Sequence, residues 1–255
     1  MEETKTENQR KAFFKRDPLT TVVLVAVIFL ASQLLAGLII SIYPSLKNWT
    51  GDQSSDWLKN SIMAQFAYIL LAESLAIWAI LKLLKKARVA RERIGLVRPK
   101  LVNIVQALSG YGVYFVSFII VIMLTSHFLS GVNLDQQQQI GFESAGGGNL
   151  YLVFISLAVL PPIAEEIIFR GLLFSSLRQK AGFIASVIPT SLLFGLAHLQ
   201  FGSGAPLLWT AAIDTFLLSC VLCYLREKSA SLWPSIMLHF LKNTVAFIAL
   251  FHAKF

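Results

Sequence analysis

The most informative stretch of this sequence is LYLVFISLAVLPPIAEEIIFRGLLFSSL, at residues 150–177. It is mostly apolar, and about 20 such residues are enough for a helix to cross the hydrocarbon core of a bilayer. The stretch therefore predicts a transmembrane helix. Two prolines, two glutamates and an arginine stand inside it, at positions 161, 162, 165, 166 and 170. Ionisable side chains at such depth cost about 2.5–3.5 kcal/mol on insertion scales, so they usually face a cavity or a partner.

Apolar runs of similar length fill most of the chain on both sides of this stretch. Hydrophobic residues make up 56% of the sequence and charged residues only 14%, whereas soluble domains average about 25% charged residues. The runs predict helices at 19–43, 61–81, 104–130, 150–177, 183–201, 207–225 and 230–251. The expected fold is an all-α, polytopic transmembrane bundle of about seven helices, with six to eight as the range.

The first run, at 19–43, follows a basic stretch as the core of a secretory signal peptide would. It exceeds the apolar core of about 7–15 residues that such signals have, and no clear small-x-small cleavage site follows it. We therefore expect an uncleaved first transmembrane helix.

Basic residues between the runs predict the topology. Seventeen Lys and Arg fall in the 1–18 tail, the 82–100 loop and the turns at 178–182 and 226–230, and three fall in the alternate connections. The positive-inside rule then places the N-terminus in the cytoplasm and the 131–149 connector outside. The net charge of +8 has a membrane explanation, so we expect no nucleic-acid partner. The expected parts are a cytoplasmic basic tail (1–18), N-terminal transmembrane helices (19–130) and a catalytic transmembrane core (150–251).

The fourth predicted helix carries the densest set of polar residues. Glu166 and Arg170 are four residues apart, so they lie on one face and can neutralise each other. Glu165 points about 100° away from Glu166, which leaves it to address another group. Pro161 and Pro162 free backbone carbonyls, which neighbouring helices or water must satisfy.

The fifth and seventh predicted helices add polar residues. His198 lies near the end of the fifth, and His239 and Asn243 share one face of the seventh. Counted from the predicted cytoplasmic turns at 1.5 Å per residue, these three side chains and Glu165 lie about 14–24 Å into the membrane. The four could therefore meet in a cavity near its middle.

At these residues the sequence resembles the CAAX protease and bacteriocin-processing family, also called the Abi family, whose eukaryotic members trim prenylated CAAX proteins. The family motifs Glu-Glu-x-x-x-Arg, Phe-x-x-x-His and His-x-x-x-Asn correspond here to residues 165–170, 194–198 and 239–243. The preceding SLWPSI, at 231–236, is also typical of the family. The resemblance covers roughly residues 150–245.

This resemblance implies an intramembrane endopeptidase. It implies that Glu165 and His198 hold and deprotonate a water molecule, while His239 and Asn243 donate hydrogen bonds to the oxyanion of the tetrahedral intermediate. Glu166 and Arg170 would form a supporting pair that fixes the helix, although a direct catalytic part for Glu166 is left open. The partners would be the lipid bilayer and a membrane-associated peptide or protein substrate, with or without a lipid anchor.

Metal dependence stays open at this point. The mechanism requires no cofactor, and the chain lacks a His-Glu-x-x-His helix. Family members are nevertheless often labelled metalloproteases. If zinc is present, Glu165, His198 and His239 would be its ligands, with water in the fourth position.

Two functions of another class compete with proteolysis: a non-catalytic immunity or scaffold protein, and a proton-coupled transporter. Buried glutamate and histidine suit proton coupling as well as hydrolysis. Transporters, however, often contain internal repeats with matching broken helices, and this sequence shows none. Proteolysis is favoured because the His239 and Asn243 pair serves oxyanion binding, which a proton relay does not need.

Four further polar residues on predicted helices receive structural roles. Cys220 and Cys223 form a Cys-x-x-Cys, but in a membrane helix we expect them to be small packing residues. Glu73 and Asp214 match no family motif, so we expect them to act as interhelical hydrogen-bond or charge partners.

Overall fold

The computed structural model describes residues 17–128, 141–142, 145, 147–199 and 208–251. In chain order its helices are α1 (Pro18–Leu46), α2 (Gly51–Asn60), α3 (Ile62–Lys86), α4 (Val102–Phe128), α5 (Gly147–Leu177), α6 (Phe183–Ala197), α7 (Trp209–Ser229) and α8 (Trp233–Phe251). The described residues contain no β-strand. The predicted all-α fold is confirmed, while nearly all of the basic tail and most of the 131–149 connector lie outside the described residues.

Six of these helices are long and apolar enough to cross a membrane: α1, α3, α4, α5, α7 and α8. The apolar helix α6 is shorter, at 15 residues. Each of the seven predicted helices corresponds to one of these seven. The chain is an integral, multi-pass membrane protein.

The prediction missed α2, which connects α1 to α3. Its ten residues include only two large apolar side chains, Trp57 and Leu58, so no hydrophobic period marks it. The helix instead begins with a capping box. The Thr50 hydroxyl accepts a hydrogen bond from the Gln53 N–H (3.3 Å), and the Gln53 side chain accepts one from the Thr50 N–H (2.9 Å). The Thr-x-x-Gln sequence was the available signal.

The chain folds as two compact units, each discontinuous in sequence. The first unit comprises Met1–Ala90, Ile140–Ile168 and Phe240–Phe255. The second comprises Arg91–Gln139 and Phe169–His239. Both α5 and α8 therefore contribute residues to each unit.

In the first unit, α3 packs against α1 and against the Leu150–Glu165 part of α5. The Tyr68 hydroxyl on α3 donates a hydrogen bond to the Gln33 side chain on α1 at 2.6 Å. A buried apolar cluster joins α3, α5 and α8 through Ile62, Phe142, Leu152, Val153 and Phe247. These contacts hold the α5 segment that ends at Glu165.

In the second unit, α7 packs against α4 and α6. The main apolar cluster contains Ala107, Tyr114, Leu218, Leu222, Leu225 and Leu238. The Tyr114 hydroxyl on α4 donates a hydrogen bond to the Asp214 carboxylate on α7, so the expected interhelical role of Asp214 is confirmed. Cys223 is buried among Phe174 and Val187, in agreement with a packing role.

Three of the basic segments meet in the second unit. Arg178 donates two hydrogen bonds to Glu227, at 2.7 and 3.1 Å, and this bonding raises the pKa of Arg178, so its charge is retained. Arg226 is buried and donates to the backbone carbonyl of Arg93 at 3.2 Å. Residues 91–100 of the basic loop and the turns after α5 and α7 thus lie at the same end of this unit.

Candidate active site

The six predicted site residues are divided between the two units. The first unit holds Glu165, Glu166 and Asn243. The second unit holds Arg170, His198 and His239. Glu166 and Arg170 are fully buried and His239 is nearly so, whereas Glu165, His198 and Asn243 are half-buried.

In the second unit, one aromatic ring brings three of these side chains together. Phe194 on α6 is fully buried. Its ring centroid lies 4.8 Å from that of His198 and 5.9 Å from that of His239, and the His239 ring meets it edge to face. Phe169 packs edge to face on the same ring at 4.9 Å. The guanidinium carbon of Arg170 lies over it, 4.5 Å from the centroid.

His198 ends α6 in a way that selects the tautomer of its neutral ring. The helix was predicted to reach residue 201, but it ends at Ala197, and His198 is its C-terminal cap. The His198 backbone N–H bonds to the Gly195 carbonyl at 3.0 Å. Its ring Nδ1 lies 2.8 Å from the Phe194 carbonyl oxygen. A carbonyl can only accept, so Nδ1 carries the proton, and in the neutral ring the lone pair is on Nε2.

Arg170 gains stabilisation from the same aromatic ring. A desolvated guanidinium over an aromatic face is favoured by up to about 2 kcal/mol. This contact helps to offset the cost of burying the charge completely. The pairing of Arg170 with Glu166, which is equally buried, stays a prediction.

The backbone of α5 departs from regular α-helical geometry on both sides of Leu160–Glu165. Ile155–Val159 precedes that α-helical segment and Glu166–Phe174 follows it, and both are π-helical. Such π segments occur frequently at functional sites. Glu165 and Glu166 stand at the second of these transitions.

In the first unit, Asn243 contacts the backbone of α5. Its Nδ2 donates a hydrogen bond to the Leu157 carbonyl oxygen at 2.9 Å. Leu157 lies four residues before Pro161, whose nitrogen has no proton to donate. The expectation that a neighbouring helix satisfies a carbonyl freed by the prolines is confirmed.

Residues 147–245 match the family model described as Type II CAAX prenyl endopeptidase Rce1-like. The predicted family resemblance is confirmed for this segment. We call it the Rce1-like segment, and it contains all six predicted site residues.

A relative with a related description also matches. The chain is 32% identical over 97 residues to YdiL of Bacillus subtilis (strain 168), a candidate membrane peptidase. The match covers 38% of this chain and 36% of YdiL. No solved structure matches the chain at a significant level.

The described residues also bear on metal binding. Among 17–128, 141–142, 145, 147–199 and 208–251, no group of three His, Cys, Asp or Glu side chains is arranged to hold a metal ion. The zinc ligands considered from the sequence are divided between the two units, with Glu165 in the first and His198 and His239 in the second, so that zinc site stays a prediction. The steps proposed below use only side chains of the Rce1-like segment.

Sequence reasoning assigned no role to Phe194 or Leu157. The signal for Phe194 was its place four residues before His198, where a helix brings the earlier carbonyl to the later side chain. The signal for Leu157 was the double proline at 161 and 162. Phe194 contacts His198 and His239 through its ring, and its carbonyl accepts from His198. Leu157 accepts a hydrogen bond from Asn243 through its carbonyl.

Proposed function

We propose that this protein is an intramembrane endopeptidase of the CAAX-protease type. The similarity of the Rce1-like segment to type II CAAX prenyl endopeptidases supports the reaction class. The observation that carries the proposal is the hydrogen bond from His198 Nδ1 to the Phe194 carbonyl. It makes Nδ1 the protonated ring nitrogen, so in the neutral ring Nε2 is the basic atom, as a general base requires.

In this mechanism Glu165 and His198 hold a water molecule and remove one of its protons. The resulting hydroxide adds to the scissile carbonyl carbon and forms a tetrahedral oxyanion. The C–N bond then breaks, and the proton is returned to the leaving amine. General acid–base catalysis of this kind typically contributes about 10²–10⁴ in rate.

His239 and Asn243 are the proposed oxyanion donors. A side-chain amide has two N–H bonds, and one of those on Asn243 is engaged by the Leu157 carbonyl. The second N–H is the one we assign to the oxyanion. His239 is nearly fully buried against Phe194, so its ring has little freedom to reorient.

Glu166 and Arg170 are the proposed supporting pair. Both are fully buried on α5, where an unpaired charge would be strongly unfavourable. Their pairing would neutralise the two charges and fix the helix that carries Glu165. The Phe194 ring supports the Arg170 end of that pair.

The proposed substrate is a membrane-associated peptide or protein, cleaved near the cytoplasmic half of the bilayer. The N-terminus is assigned to the cytoplasm because the basic segments fall on one side of the predicted spans. Whether the substrate carries a prenyl group is decided by the experiment below.

The test uses purified protein in lipid nanodiscs with a library of transmembrane and C-terminally farnesylated peptides in ¹⁸O-water. The expected result is a new carboxyl terminus that contains one ¹⁸O atom, because the attacking oxygen comes from water. His198→Gln should abolish it. His127→Gln, the same exchange at the exposed end of α4, is the matched control and should retain it.

Two outcomes would contradict the proposal. One is the absence of any cleaved peptide in either half of the library. The other is equal cleavage by His198→Gln and the control. Proton uptake into protein-containing vesicles without cleavage would instead favour the transporter.

A further inference from the structure

The Leu157 carbonyl receives no hydrogen bond from the backbone N–H groups that would donate to it in a regular helix. The N–H three residues on, from Leu160, bonds to Ile155 instead. The α-helical donor, four residues on, would be Pro161, and the π-helical donor, five residues on, would be Pro162. Neither proline has an N–H. A carbonyl left in this state inside an apolar environment costs about 1–3 kcal/mol unless another group donates to it.

Asn243 supplies the missing donor from α8. The 2.9 Å bond from its Nδ2 to the Leu157 carbonyl has normal geometry for an N–H···O bond. Because a carbonyl cannot donate, the bond also determines which end of the amide faces α5. The opposite orientation would place the Asn243 oxygen against the Leu157 oxygen, so a flip of the amide is disfavoured.

We infer that Pro161 and Pro162 are positioning residues for Asn243. By removing the competing backbone donors, they make Leu157 a fixed acceptor that holds the Asn243 amide in one orientation. The second Nδ2–H then keeps a constant direction for its proposed part in oxyanion binding. This catalytic consequence rests on the proposed function, whereas the hydrogen-bonding device does not.

The inference predicts the effect of restoring a backbone N–H at position 161. Pro161→Ala supplies an N–H at the α-helical position, and this N–H competes with Asn243 for the Leu157 carbonyl. The substitution also raises helix propensity, so folding should not suffer. Pro44→Ala makes the same change inside α1 of the same unit and is the matched control.

The first readout is independent of activity. Protein with ¹⁵N-labelled asparagine in nanodiscs contains seven asparagines, and the Asn243 side-chain signal is identified by its loss in Asn243→Ala. We expect one strongly hydrogen-bonded Nδ2 proton in the native protein and in Pro44→Ala. In Pro161→Ala, or in Pro161→Ala/Pro162→Ala, the chemical shift of that proton should move upfield, and the proton should exchange faster with water.

The second readout is a double-mutant cycle on kcat. Loss of an oxyanion donor in Asn243→Ala should lower kcat by about 10²–10³. Pro161→Ala should lower kcat by about tenfold, the equivalent of one hydrogen bond, with KM unchanged. In the Asn243→Ala background it should have no further effect, because a residue that acts through Asn243 has nothing left to position.

Either of two results overturns the inference. One is an Asn243 amide signal that is unchanged in both proline variants. The other is a Pro161→Ala effect that adds in full to Asn243→Ala. If no peptide is cleaved by the native protein, the proposed function fails, and the amide signal alone then decides whether the prolines position Asn243.

Discussion

At the scale of single residues, the candidate site depends on backbone carbonyls that their helices cannot satisfy. The Phe194 carbonyl lies in the last turn of α6 and accepts from His198 Nδ1. The Leu157 carbonyl lies before two prolines and accepts from Asn243 Nδ2. In each case an unused acceptor, of the kind that helix ends and prolines create, orients a polar side chain that hydrolysis would need.

His198→Asn separates the two roles of His198. Asparagine is a favourable residue at a helix C-terminus and retains a side-chain donor, so the end of α6 should stay intact. It cannot act as a general base, so kcat should fall by about 10²–10⁴. Cleavage assays paired with thermal unfolding in detergent measure both effects. An activity within tenfold of native would remove His198 from the base role.

Phe194→Leu tests the aromatic ring shared by Arg170, His198 and His239. The variant keeps an apolar side chain but loses the edge-to-face contact with Phe169 and the cation–π contact. The aromatic pair is typically worth about 0.5–1.5 kcal/mol and a desolvated cation–π contact about 2 kcal/mol, so the free energy of unfolding should fall by about 2–4 kcal/mol. Cleavage should also weaken, because both histidines lose their support. Unchanged stability and activity would show that the Phe194 ring contributes only apolar volume to the core.

At the scale of helices, packing around the site needs small residues at particular points. A Cβ added at Gly195 would lie 2.9 Å from the Ala212 carbonyl oxygen, a backbone atom on α7 that cannot move aside freely. Gly195 therefore sets the spacing of α6 and α7. Because it stands between Phe194 and His198, that spacing also places the histidine.

Gly195→Ala should consequently destabilise the protein by about 1–3 kcal/mol, the usual cost of overpacking. Gly112→Ala on α4 is the control, because no atom lies within 4 Å of the added Cβ. That change should be neutral or stabilise by about 0.4–1 kcal/mol through the unfolded state. The unfolding temperatures of Gly195→Ala and Gly112→Ala are compared with that of the native protein in the same detergent. Equal shifts for the two would contradict the close-approach argument.

The helices show what the sequence could and could not predict. Apolar runs located the seven apolar helices because a membrane span needs a long hydrophobic stretch whatever it packs against. The short polar α2 has no such run, and the end of α6 depends on the His198 cap. The motifs identified the candidate side chains. They did not reveal that Asn243 bonds to Leu157, because that contact joins residues 86 apart in the chain.

At the scale of the whole molecule, the topology is open to direct test. Residues 91–100 of the basic loop lie with Arg178 and Arg226 at one end of the second unit, and the charge bias predicts that this end faces the cytoplasm. In a background without Cys220 and Cys223, Ser55→Cys on α2 should react with a membrane-impermeant maleimide in intact cells. Lys180→Cys should react only after permeabilisation. The reverse pattern would invert the proposed orientation.

The most direct test of proteolysis requires no knowledge of the substrate. Protein termini are compared in membranes from cells that express the native protein, Glu165→Ala or His198→Ala at matched levels, with His127→Gln as control. The account predicts new termini in the native and control membranes that are absent from both site variants. Identical termini in all four, with each variant folded and inserted, would contradict it and favour an immunity, scaffold or transport function.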